Sequence, residues 1–140
     1  MTITMEKAVN LFHAVKGISY NEVKLDQISL IWLRLYPYAK EWEDASEAAR
    51  KDVEEARKPI VEEFQALSDA EKKEKEAEFN EKIMAAINGL PSVKAQPELL
   101  KKEIEVDLPT LSEAEFLKIA KSSAFKSIGE AGIFYDLVAK

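Results

Sequence analysis

Apolar residues recur through the middle of the chain in alternating steps of four and three: Ile28, Trp32, Leu35, Ala39, Trp42, Ser46, Ala49, Val53, Ala56 and Ile60. A mean step of 3.5 keeps one narrow stripe on one side of a gently supercoiled helix, and that stripe has to lie against another helix. The spacing predicts a long helix from about residue 25 to residue 67. Pro37 and Pro59 fall inside it, and each removes a helix hydrogen bond at a cost of about 3 kcal/mol. The seam keeps its phase from Leu35 through Ala39 to Trp42, so a continuous helix kinked at Pro37 is expected. Pro59 either lies within the helix or restarts it as a first-turn residue.

Ser68 and Glu71 have the spacing of a capping box, which starts a new helix running to about residue 88. Phe79, Ile83, Ala86 and Leu90 carry a stripe of the same period, and Gly89 marks the end. Two antiparallel helices make a hairpin arm over residues 25–88, with its tip near residues 60–75. The first turns of the second helix (EKKEKEAE) bear almost no apolar face, so that end projects into solvent.

The flanks read as a base. An amphipathic helix is predicted over residues 4–16, capped by Thr4, with Met5, Ala8, Val9, Phe12 and Val15 on one face and Gly17 as a left-handed stop. Residues 18–23 alternate polar and apolar, and residues 103–108 do so strictly, with Ile104, Val106 and Leu108 on one side. A lone strand is unstable, so these two segments are expected to pair. Residues 89–99, with Gly89, Pro91 and Pro97, read as a connector. Thr110 or Ser112 caps a helix over residues 112–122. A last helix closes the chain with Ile128, Ala131, Phe134, Tyr135 and Val138 on one side. The expected fold is mainly α with a minor β part: a long antiparallel helical hairpin on a base of short helices and a two-stranded β element. The base is residues 1–24 with 100–140, and the 140 residues form one domain.

Charge narrows the partners. The net charge is −6, and residues 41–82 hold 15 acidic against 8 basic side chains. Phosphate backbones are repelled there, and no Lys/Arg patch with interleaved aromatics occurs elsewhere, so direct nucleic-acid binding is not expected. The chain has no Cys, which excludes disulfides and thiolate metal sites. No apolar run reaches the ~18 residues of a membrane span. The opening residues lack the apolar core of a cleavable signal, and a cytoplasmic, membrane-free protein is expected.

Candidate chemistry is sparse. His13 is the one imidazole, so the paired Glu-x-x-His helices of a carboxylate di-metal bundle cannot be built. The carboxylates fall on charged helix faces, without the pocket that separates the pKa values of a catalytic pair. Gly129-Glu-Ala-Gly132 spells the GXXG loop of KH domains, but Glu130 and helical flanks favour close helix packing over the two glycines. No catalytic, cofactor-binding or metal-ligating residues are identified, and a non-enzyme is the leading expectation. Trp32, Tyr36, Tyr38 and Trp42 are the candidate interface. Trp32 and Trp42 lie on the seam and are expected in the core. Tyr36 and Tyr38 lie off it, so at least one should be partly exposed, as interface aromatics are.

In the order of its elements the chain resembles a family of small proteins of unknown function from tailed bacteriophages and prophages. The likeness rests on the opening helix (MEKAVNLFHAVKG), the segment VKLDQISLIWLRLYPYAKEWEDA, the late strand (IEVDLPTLSEAEF) and the closing SIGEAGIFYDLV. Pro37 and the acidic tract of residues 68–82 depart from it. The resemblance implies an accessory or assembly protein of a bacterial or phage-infected cell, and implies no activity. Three functions are therefore carried forward. The first is a non-enzymatic interaction or assembly protein, pairing with itself or with another protein through helical packing. The second is a ligand-binding protein or enzyme with a pocket at the base near His13, Tyr20 and Tyr135. The third is an acidic regulator of a nucleic-acid enzyme.

Overall fold

Ile3 and Ile104 face each other across a two-stranded antiparallel sheet, with Thr2 opposite Glu105 and Thr4 opposite Glu103. The computed structural model describes residues 1–139. Its elements are β1 (Thr2–Thr4), α1 (Met5–Lys16), α2 (Tyr20–Val23), α3 (Asp26–Gln65), α4 (Asp69–Asn88), α5 (Pro91–Lys101), β2 (Glu103–Glu105), α6 (Glu113–Ala120) and a closing 3-10 helix (Glu130–Leu137). The fold is mainly helical, with one long helix, an antiparallel hairpin and the small sheet. α3 runs unbroken through Pro37 and Pro59.

The chain divides into two compact units. Unit 1 is Met1–Trp42 with the chain from Leu100 onward, and unit 2 is Glu43–Leu99. Charge follows the division: unit 2 holds 15 acidic and 9 basic residues, whereas unit 1 holds 11 of each. The whole net charge of −6 therefore belongs to unit 2.

Unit 1 contains the closed core. Met5, Ala8, Val9, Leu11, Phe12 and Val15 of α1 are buried, and so are Ile28, Ile31, Leu35 and Ala39 of α3. The Thr4 hydroxyl accepts from the Lys7 amide and caps α1. The partner of β2 is residues 2–4, not residues 18–23. Tyr20–Val23 form a single helical turn that ends at Lys24, whose φ of 52° is left-handed. The Lys24 amide donates to the Tyr20 carbonyl at 2.6 Å, closing that turn where a strand was expected. Gly17 does not supply a left-handed stop either, since its φ is −80°.

The closing segment differs as well. Its 3-10 winding has three residues per turn, which aligns Ala131, Phe134 and Leu137 in one buried row. Ile128 and Tyr135, expected on the inner side at α-helical spacing, are exposed. No close packing occurs over the two glycines: a Cβ on Gly132 would meet nothing within 4 Å, and one on Gly129 only the Ser127 hydroxyl. Leu111 anchors this segment, its amide donating to the Leu137 carbonyl and its carbonyl accepting from Ala139.

Unit 2 is the hairpin. Ser68 caps α4 in a complete capping box with Glu71. Phe64 stacks on Phe79 with ring centroids 4.1 Å apart, the Ser92 hydroxyl donates to Asp52 at 2.6 Å, and Gln96 donates to Ser46 at 3.4 Å. Each step back along α3 is matched by a step forward on the returning limb, so α4 and α5 both run antiparallel to α3. Residues 89–99 are thus no mere connector. Pro91 takes the first helical position, where its missing N–H costs nothing, and Pro97 is carried inside α5.

Candidate interaction face

Four rows of side chains run along the part of α3 that lies in unit 1. Ile28, Ile31, Leu35 and Ala39 face the core. Arg34, Tyr38 and Glu41 form a second row, spaced one helical turn apart, and fasten the helix to the segment around β2. The Arg34 guanidinium donates to the Asp107 carbonyl at 2.8 Å and lies 3.5 Å from its carboxylate. The Tyr38 hydroxyl donates to the Glu105 carbonyl at 3.2 Å, and Lys102 pairs with Glu41 at 3.5 Å.

The other two rows are apolar and open. Trp32 is 39% exposed, Tyr36 45%, Leu33 60% and Leu30 38%. Buried Phe12 of α1 supports the aromatic pair: its ring lies 5.8 Å from Trp32 and 6.2 Å from Tyr36, and those two rings are 5.2 Å apart. Arg34 is the one formal charge on α3 between Asp26 and Lys40, and Asp107 occupies it on the opposite flank. An uncharged aromatic stripe with a fixed base is the arrangement of an interface anchor.

Of the four residues singled out in the sequence, two stand on this face. At least one of Tyr36 and Tyr38 was expected to be partly exposed, and Tyr36 is exposed. Trp32 is a correction, because it was placed in the core and Ile31, 0% exposed, fills that position instead. The buried line in unit 1 steps 3, 4, 4, close to the 3.6 residues per turn of a straight helix; it keeps the seam's Ile28, Leu35 and Ala39 and departs from it only where Ile31 replaces Trp32. Tyr38 is half-buried and turned toward β2, and Trp42 is half-buried at the limit of the unit. Leu33 and Phe12 complete the face and were not singled out. Leu33 sits diametrically opposite the core row at 100° per residue, a signal the sequence carries.

The groove beside the face is open and lined by Val15, Lys16, Ile18, Tyr20, Ile28, Ser29 and Trp32. The Tyr20 hydroxyl donates to Asp26 at 3.2 Å, and this hydrogen bond, with the carboxylate's charge, holds the phenol above its usual pKa. His13 is exposed, edge-on to Phe12 at 5.9 Å. Neither His13 nor Tyr135 lines the groove, so the three polar-tipped rings do not converge there. Among the described residues no group of three or more His, Cys, Asp or Glu is placed to hold a metal ion, and no helix is long and apolar enough to cross a membrane.

Compared with protein-family models, with curated proteins and with solved structures, the chain matches none.

Proposed function

We propose that this chain is a non-enzymatic interaction or assembly protein that holds another protein through the α3 face of Leu30, Trp32, Leu33 and Tyr36. One observation carries the reading: four large apolar side chains stand 38–60% exposed within one stretch of α3, whose one formal charge between Asp26 and Lys40, Arg34, pairs with Asp107. Exposed apolar residues scattered singly need no explanation, but a contiguous aromatic patch on a rigid helix does. The supporting ring of Phe12 fixes the Trp32 and Tyr36 rings before contact, which lowers the ordering cost of binding. The partner is a protein surface with an apolar cleft for Trp32 and Tyr36. The resemblance to small tailed-phage and prophage proteins supports an accessory role in an assembly, in the cytoplasm of a bacterial or infected cell.

The test is a photo-crosslinking residue at position 33 in the native cell, with the same residue at exposed Glu113 as control. A discrete adduct at position 33, lost in a Tyr36→Glu background of unchanged helicity, is the expected result. Equal labelling at both positions would overturn the assignment.

A further inference from the structure

We infer that the groove between α1, α2 and α3 receives one apolar side chain of the protein partner, carried beside a carboxylate that pairs with Lys16. This rests on the reading of the α3 face as a protein-binding surface, because Trp32 belongs to both the face and the groove. Val15, Ile18 and Ile28 line the groove and are buried, whereas Tyr20 and Trp32 line it and stand 50% and 39% exposed. Buried aliphatic groups between two open aromatic rings make a seat for an apolar side chain. The space measures about 240 Å³, short of the roughly 300–1,000 Å³ of a small-molecule pocket. It suits a single side chain of a chain that passes over it.

Charge selects the chemistry beside that side chain. Lys16, in the last turn of α1, is the one charged residue among the seven that line the groove. Lys7, Arg34 and Lys102 of the same unit are paired with Asp136, Asp107 and Glu41, but among the described residues no carboxylate pairs with Lys16. The Asp26 carboxylate accepts the Tyr20 hydroxyl at 3.2 Å and does not line the groove. An ammonium offers three donors and no acceptor, so the group that meets it has to accept. A carboxylate adds opposite charge, whereas a basic segment would set like charges together. The partner segment is therefore acidic beside its apolar anchor. Salt screens an exposed pair of this kind, so added salt should loosen the contact.

The test titrates the full chain with two end-blocked peptides, one presenting phenylalanine between two glutamates and the other phenylalanine between two glutamines. Nuclear magnetic resonance reads the amides of residues 15–20 and the Trp32 indole N–H. Both peptides should shift these signals, and the glutamate peptide should bind about two- to five-fold tighter, the worth of an exposed ion pair. Lys16→Met keeps an apolar stem without the charge and should erase that preference, as should raising salt from about 0.05 M to about 0.5 M. Equal affinities in the parent, a preference that survives Lys16→Met, or no shift at these signals would each overturn the inference. The α3 face is judged separately, by the adduct at position 33. An adduct there with no peptide preference removes the groove's role alone, and a peptide preference without an adduct removes the face alone.

Discussion

Ser92 and Asp52 stand 40 residues apart in the chain, and the hydroxyl of one donates to the carboxylate of the other at 2.6 Å. The contact fastens the first turn of α5 to the middle of α3, and it sets the register of the hairpin where the returning limb is interrupted. It is partly buried, so neither group has full access to water. Hydrogen bonds to charged groups are worth about 1.5–3 kcal/mol. Ser92→Ala should therefore lower stability by about 1.5 kcal/mol in urea unfolding followed by circular dichroism. An unchanged midpoint would show that the contact does not hold the limb.

The phase of α3 in unit 1 is testable with two leucines. Leu35 is fully buried and Leu33 is 60% exposed. Leu35→Ala should cost about 2–5 kcal/mol, and Leu33→Ala less than about 0.5 kcal/mol. Trp42→Ala, at a half-buried position, should fall between them. The reverse order in thermal unfolding would rule out the core row of Ile28, Ile31, Leu35 and Ala39.

Proline position separates the two ends of α5. Pro97 lies inside the helix, where it removes one hydrogen bond and crowds the preceding turn. Pro97→Ala should raise stability by about 1–3 kcal/mol, whereas Pro91→Ala, at the first helical position, should give no gain. Equal effects of the two substitutions would contradict a helix over residues 91–101.

Glu115 sets a pH dependence. Its carboxylate accepts the Ser112 backbone amide at 2.9 Å, completing the capping box of α6. That bond, with the Ser112 hydroxyl and Gln27 adding to it against some desolvation, holds the carboxyl below its ordinary pKa. A group depressed on folding stabilises above its unfolded pKa, near 4.3 for Glu, and loses that contribution as pH falls through the folded value. Stability should thus decline from about pH 4.3 downward, and Glu115→Gln should flatten that part of the profile. A variant whose acid limb matches the parent's would remove Glu115 as its source.

Local chemistry along the chain was enough for the elements whose cause is local. The capping box at Ser68, the Thr4 cap and the 3.5-residue seam each depend on side chains within a few residues, so the helices they define could be read directly; at the start of α6 the same spacing fitted both Thr110 and Ser112, and the structure chose Ser112. The continuity of α3 through Pro37 followed from the unbroken seam. What depended on distant partners could not be read this way. Residues 18–23 and 2–4 both offer a short alternating segment, and only the chain path that brings Ile3 opposite Ile104 chose between them. Trp32 and Ile31 are adjacent apolar residues of α3, and only the tertiary packing decided that the smaller one is fully buried while the indole lies against Phe12 at the surface. The three-residue pitch of the closing helix likewise reflects its anchoring at Leu111, since 3-10 winding aligns Ala131, Phe134 and Leu137 where α-helical winding would have turned Tyr135 inward. Periodicity told which positions are apolar; the neighbours supplied by the rest of the fold determined which of them face inward.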